Sequence, residues 1–154
     1  MGVGKTTICQ LLKNKLPRSV FLDGDWCWDS HPFQVTEETK TMVMDNICYL
    51  LNNFIHCSAY EHVIFCWVLH EQHIIDQILS NLDVTGCLVK NISLVCDPDT
   101  LRRRLLADVE QGLRREDVVT RSLQRLPFYN SLDTIRIDVS HITAKQAAQQ
   151  LCKL

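Results

Sequence analysis

Apolar runs and helical repeats take turns along this chain. Ile8, Leu11, Leu12 and Leu16 recur at helical spacing and Pro17 closes the segment, which predicts a helix over 8–16. Ser19-Val20-Phe21-Leu22 predicts a short strand running into Asp23-Gly24-Asp25. After a loop through Pro32, Thr36 marks the N-cap of a long helix to about His56. Val43, Ile47, Leu50, Leu51 and Phe54 form its apolar side, and Asn46, Tyr49 and Asn53 the opposite one. His62–Leu69 is apolar at both alternations, as a strand covered on both faces should be. A helix over 71–82, a strand over 88–95 and a helix from Asp97-Pro98 to about Glu110 follow, with Pro at the first helical position. A helix over 117–128, a strand over 134–138 and a helix from Thr143 through Ala147, Ala148 and Leu151 complete the pattern. This alternation predicts parallel strands joined by helical crossovers, an α/β fold. Neither repeats nor linkers interrupt it, so a single domain over 1–154 is expected.

Composition narrows the class. With 46% hydrophobic residues the chain can build an ordinary core. A net charge of −2 and a pI near 6.3 exclude a protein whose main role is coating nucleic acid or anionic membrane. The absence of a long apolar run or a leader-like start points to a soluble, cytoplasmic protein with no membrane partner. None of the eight cysteines forms a C-x-x-C pair and most lie in apolar runs, which predicts reduced, buried thiols acting as small hydrophobes. His70 and His73 are spaced to share a helix face but lack a third metal ligand.

The chemistry begins at residue 2. Gly2-Val3-Gly4-Lys5-Thr6-Thr7 is the second half of G-x-x-x-x-G-K-[ST], in which backbone N–H groups cradle phosphates, the lysine reaches the β/γ-phosphates and the hydroxyl ligates Mg²⁺. The first glycine of the pattern would stand two residues before Met1. Asp23 and Asp25 follow at the C-terminal end of the next strand, the edge where open α/β sheets place ligands. There Asp23 suits a metal partner and Asp25 the orienting or deprotonation of an attacking hydroxyl, the competing reading being a solvated turn. Trp26 and Trp28 either line a pocket with Asn46 and Tyr49 or cover the core. Arg102, Arg103, Arg104, Arg114, Arg115, Arg121 and Arg125 crowd the segment between Leu101 and Leu126. Arg102 and Arg103 fit a solvated helix face. Arg121 and Arg125, one turn apart, can converge with Arg114 on a transferring phosphoryl group.

At this point the sequence resembles a known superfamily, the P-loop small-molecule and nucleotide kinases. Arg114-Arg115-Glu116-Asp117, seven residues, then Arg125-Leu126-Pro127-Phe128-Tyr129 is similar to the lid pattern R-x-[DE]-D-x₇-R-L-x-x-Y of adenylate-kinase-like enzymes. The resemblance implies a lid over 111–130, phosphate contacts for Arg114 and Arg125, and adenine packing for Arg104. Asp138-Val139-Ser140-His141 resembles the adenine-side loop. It also implies a three-layer α/β/α P-loop NTPase fold with parallel sheet order 2-3-1-4-5. The chain departs from adenylate kinases after His62–Leu69, where Leu69-His70-Glu71-Gln72 replaces an acidic, arginine-bearing D-G-x-P-R stretch. Asp23-Gly24-Asp25 instead resembles shikimate, gluconate and adenylylsulfate kinases, which phosphorylate a hydroxyl.

The expected activity is transfer of the γ-phosphoryl of Mg-ATP to a small-molecule hydroxyl or a nucleotide. Gly2, Val3, Gly4, Lys5, Thr6 and Thr7 would hold phosphates, with Arg104 and Ser140 on the adenine side. Thr6 and Asp23 would bind Mg²⁺, and Lys5, Asp23, Asp25, Arg114, Arg121 and Arg125 would carry catalysis. The rival readings are a non-catalytic ATP-binding or regulatory module and, behind it, a nucleic-acid-binding domain; interleaved acids and the lack of an aromatic platform weaken the last. Because the P-loop normally follows the central first strand of the sheet, the natural protein is expected to continue upstream of Met1, with the four visible strands flanking that place. An in-frame stop just upstream would refute this.

Overall fold

The computed structural model describes residues 1–154. Its helices are α1 (Lys5–Lys13), α2 (Glu37–Ile55), α3 (Gln72–Ser80), α4 (Pro98–Glu110), α5 (Asp117–Arg125) and α6 (Ala144–Leu151). Strands β1 (Ser19–Asp23), β2 (His62–Cys66), β3 (Ile92–Val95) and β4 (Ile135–Asp138) alternate with them. Local chemistry fixes the helix starts. The Thr36 hydroxyl accepts from Thr39 N–H at 3.1 Å while the Thr39 hydroxyl accepts from Thr36 N–H at 2.8 Å, a reciprocal cap on α2. Asp97 Oδ1 accepts from Thr100 N–H at 2.7 Å ahead of Pro98, and Thr143 caps α6 with Gln146.

The strands form two parallel pairs. β1 runs beside β2 in the register Ser19↔His62 to Asp23↔Cys66, and β3 beside β4 from Ile92↔Ile135 to Val95↔Asp138. The pairs are not hydrogen-bonded to each other. This is the neighbour relation that order 2-3-1-4-5 gives its second, third, fourth and fifth strands.

Packing joins the pairs through α1. Ile8, Cys9 and Leu12 share one core with Phe21 and Ile64 of the first pair, and with Leu101, Leu105, Val118 and Ala147 from α4, α5 and α6. Ala147 and Ala148 are fully buried, and their small side chains let α6 lie close to α1. Burying each of the large aliphatic residues here contributes about 1.5–3 kcal/mol. A smaller core of Leu22, Val43, Ile47, Leu51 and Ile78 seats α2 and α3 on the other side of β1 and β2.

Some expected strands are shorter in the structure. β2 stops at Cys66 rather than Leu69 because its partner ends there: Asp23 pairs with Cys66, and the chain then enters a 3₁₀ turn over Gly24–Cys27. β3 starts at Ile92, and Leu88, expected inside a strand, is 82% exposed. α5 gives way at Leu126 to a 3₁₀ turn through Asn130, since Pro127 has no N–H to continue the helix. All eight cysteines are free, but only Cys9, Cys48, Cys66 and Cys96 are buried, while Cys87 and Cys152 are exposed.

Candidate active site

The glycine loop is shaped by its neighbours. Gly2 and Gly4 have φ of 75° and 88°, in the left-handed region that glycine adopts without strain. At Gly2 there is also no room, because a Cβ would sit 2.6 Å from Leu105 Cδ2. Val3 is buried in the core between them, so α4 holds the loop from behind. Gly4 is the N-cap of α1 and offers no side-chain cap. The first-turn N–H groups of Lys5, Thr6 and Thr7 are therefore free for an anion, with the helix dipole in its favour.

Acids stand opposite. Asp23 is 5% exposed at the end of β1 and accepts the Thr6 hydroxyl at 2.6 Å, the Asp25 N–H at 3.1 Å and the Cys66 thiol at 3.4 Å. Contact with Cys9, burial and the Asp23 carboxylate all raise the Cys66 thiol, which stays protonated and donates. Burial lowers the Lys5 ammonium from the ordinary lysine value, and the Asp25 and Asp23 carboxylates oppose that shift. Asp25 lies on the exposed side of the turn and accepts the Trp67 indole N–H at 3.1 Å. Trp67 lies tight against this turn: a Cβ on Gly24 would come within 2.5 Å of Trp67 Cγ.

Basic residues form the remaining wall. Lys5, Thr6, Asp23, Asp25, Arg104 and Arg114 are brought together around a cavity of about 420 Å³ that also meets Gly2, Gly4, Thr7 and Trp67. Arg104 donates to the Val139 carbonyl at 2.8 Å, tying α4 to the loop after β4. In that loop Ser140 donates its hydroxyl and its N–H to Asp138 Oδ1 at 2.5 and 2.8 Å and accepts from Asp97 N–H at 2.9 Å. Ser140 is thus structural support behind the cavity rather than part of its lining. Arg114 reaches the cavity through an ion pair with Asp108 at 2.9 Å.

Arg125 is half-buried near the same end. Arg114 donates to the Met1 sulfur at 3.9 Å beside the loop. Arg121 does not join them. It is exposed, pairs with Asp117 at 3.2 Å along α5, and stands outside the cavity lining. The two residues are four apart on α5, yet Arg121 is drawn to the helix's own acid.

Trp26 and Trp28 divide. Trp26 is 55% exposed with its ring edge-on to Phe21 at 5.2 Å. Trp28 packs edge-on between Phe33 at 4.9 Å and Trp67 at 5.9 Å. Asn46 anchors this turn to α2 by donating to the Cys27 carbonyl at 3.0 Å, whereas Tyr49 points to solvent. His70 and His73 meet Glu71 at 3.2 and 3.4 Å, and no group of three or more His, Cys, Asp or Glu is placed to hold a metal. Sequence reasoning missed Trp67, Cys66 and Asp108. The first two looked like core because they lie inside the apolar run His62–Leu69, and only the end of β2 at Cys66 brings them to the site.

A match to known families fits this geometry, since the AAA domain family (AAA_18) matches residues 1–124. The chain belongs to the AAA domain family. No curated protein matches the sequence of this AAA domain. Among solved structures, a tunicamycin resistance protein from Deinococcus radiodurans superposes with a TM-score of 0.70 at 18% identity, covering 99% of this chain and 88% of its own. A gluconokinase from Sinorhizobium meliloti 1021 gives 0.62 at 17% identity, covering 99% and 89%. A shikimate kinase from Bacteroides thetaiotaomicron gives 0.57 at 19%, covering 99% and 92%. At these identities the likeness is one of fold, and the fold of this AAA domain is that of P-loop kinases. No helix is long and apolar enough to cross a membrane.

Proposed function

We propose that this AAA domain is an ATP-dependent phosphotransferase that moves the γ-phosphoryl of Mg-ATP to the hydroxyl of a small molecule. The observation that carries the reading is the 2.6 Å bond from Thr6 to Asp23 at the mouth of a glycine loop, with Lys5 and Asp25 in the same cavity. A hydroxyl and a carboxylate in contact are hard oxygen donors of the kind Mg²⁺ selects, so the residues fit that ion. Bound there, Mg²⁺ would neutralise charge on the phosphates and hold them in line.

The chain's own residues would do the rest. Gly2, Gly4 and the first-turn N–H groups of α1 would hold the phosphates, and Lys5, already partly desolvated, would reach the β- and γ-oxygens. Asp25, fixed by Trp67, would orient the acceptor hydroxyl and take its proton. Arg104 would flank the base. Residues 111–130 would act as the lid, with Arg114 and Arg125 drawn over the phosphates, excluding water that would otherwise hydrolyse ATP. Arg121 has no part in the lining and is left out of this assignment.

The test is a coupled assay with Mg-ATP and a panel of hydroxyl compounds, alongside binding of a non-hydrolysable ATP analogue. ATP-dependent appearance of a phosphorylated product that Asp25→Asn abolishes is the expected result. A protein that binds the analogue but phosphorylates nothing is a nucleotide-binding module instead.

A further inference from the structure

The half of the cavity that faces the acceptor differs in chemistry from the half that faces ATP. Between Leu22 and Trp67 the acids outnumber lysine and arginine seven to one. The one lysine, Lys40, is bound to Glu37 at 2.8 Å on the outer face of α2. Lys5, Arg104 and Arg114, the cations that line the same cavity, belong to the phosphate end in the proposed assignment.

Carboxylates and phosphates are recognised by arginine and lysine in bidentate or charge-assisted bonds. An anionic acceptor entering here would meet Asp25 while Lys5, Arg104 and Arg114, the cations of the same cavity, are occupied by ATP, and like charges brought together are a strong rejection device. What the wall does present is aromatic. Trp67 reaches into the cavity, Trp28 abuts it at 5.9 Å, and Phe33, 58% exposed, continues the surface at 4.9 Å from Trp28. The arrangement is built rather than incidental, because a Cβ on Gly24 would collide with Trp67 as it lies, and the indole N–H is fixed on Asp25. Exposed aromatic surface beside a reactive carboxylate is a stacking platform for a ring.

We infer that the acceptor is a ring-bearing alcohol without an anionic group, bound with its ring against Trp67 and Trp28 and its hydroxyl on Asp25. This rests on the proposed phosphotransfer and restricts it: nucleosides and neutral glycosides belong to the accepted class, whereas nucleotides and sugar acids do not. The acceptor hydroxyl oxygen forms the new bond to the γ-phosphorus, the bond to the β,γ-bridging oxygen breaks, ADP leaves, and the hydroxyl proton passes to Asp25.

Matched pairs test this directly: nucleosides against their 5′-monophosphates, hexosides against hexuronic acids, and aryl alcohols against hydroxyaryl carboxylates. Tryptophan fluorescence in the presence of a non-hydrolysable ATP analogue reads acceptor binding, and mass spectrometry with Mg-ATP reads product. Neutral members should bind at least tenfold more tightly than their anionic partners. Trp28→Leu should weaken their binding at least tenfold with analogue affinity unchanged, and Trp28→Phe should restore most of it. The inference is overturned if an anionic member binds or reacts as well as its neutral partner, if no neutral ring compound binds while the analogue does, or if Trp28→Leu leaves acceptor affinity unchanged. Loss of the proposed function itself reads differently, as failure to bind the ATP analogue or as tight neutral-ring binding without any product.

Discussion

The two sides of the cavity are built on different materials. On the phosphate side, α4, the segment after it and the loop after β4 bring Arg104 and Arg114 to a glycine loop backed by the larger core. On the acceptor side, β1, β2 and α2 bring Asp23, Asp25 and Trp67, backed by the smaller core around Val43, Ile47 and Leu51. The difference follows from what each side would hold. A polyphosphate needs N–H donors, a helix dipole and cations, and those come mainly from backbone and long basic side chains. A hydroxyl to be deprotonated needs a positioned carboxylate within hydrogen-bond reach, and a wall to hold the rest of the molecule. Lys5 and Thr6 stand where the two meet.

Changes at the junction should have the largest effect. Lys5→Ala is expected to lower phosphotransfer by about 10²–10³, as loss of one preorganised transition-state contact does. The protein should still melt cooperatively and still bind the neutral acceptor, which steady-state kinetics and fluorescence titration will show. Equal loss of acceptor binding would mean that the two sides are not separable.

The two cores offer the next contrast. Leu105→Ala and Leu51→Ala each empty a buried position, and each should cost about 2–5 kcal/mol in denaturant unfolding. Only Leu105 touches the space beside Gly2, so at temperatures where both variants remain folded Leu105→Ala should also weaken binding of the ATP analogue, and Leu51→Ala should not.

Within the arginine-rich segment the effects should divide sharply. Arg114→Ala should reduce kcat/KM about tenfold or more, the worth of one charged hydrogen bond. Arg121→Ala removes only an exposed pair with Asp117 and should change neither activity nor Tm measurably. A large effect at Arg121 would show that α5 turns this residue inward when ligands bind.

The smallest effect is a dependence on acid. Asp97, capping α4, is held down to about 2 from an ordinary 3.8, first by its bond from the Thr100 N–H. A carboxylate whose folded pKa is depressed adds stability that is fully present above about 4 and is lost as pH falls through 2. Asp138 is shifted in the same direction by Ser140. Melting curves followed by circular dichroism from pH 5 to pH 2 should fall less steeply in Asp97→Asn than in the parent. Unchanged steepness would place the acid sensitivity elsewhere, with Asp83, also held to about 2 by Thr85 and His56, as the next carboxylate to replace.

Helix starts were legible because the signal and its consequence lie within four residues. Thr36 and Asp97-Pro98 announce α2 and α4, and Thr143 announces α6, by side chains that meet backbone N–H groups three positions on. Strand ends were not, because a strand ends where its partner ends. Nothing between Trp67 and Leu69 marks the departure; it is β1 bending into its turn after Asp23 that stops the ladder. The same blindness hid Trp67 in what read as a buried run. Helical spacing put Arg121 and Arg125 in one group, but spacing cannot weigh a competing acid one turn away.

The sequence by itself determined the alternation of strands and helices, the glycine loop with its lysine and threonine, and the acid pair at a strand's end. Each depends on residues adjacent in the chain. Only the tertiary structure decided that Thr6 meets Asp23, that Trp67 holds Asp25, and that Arg114 enters the cavity while Arg121 stays outside. Those outcomes depend on how the two strand pairs pack around α1 and on which of several nearby partners each side chain reaches first, and separation along the chain carries no information about either.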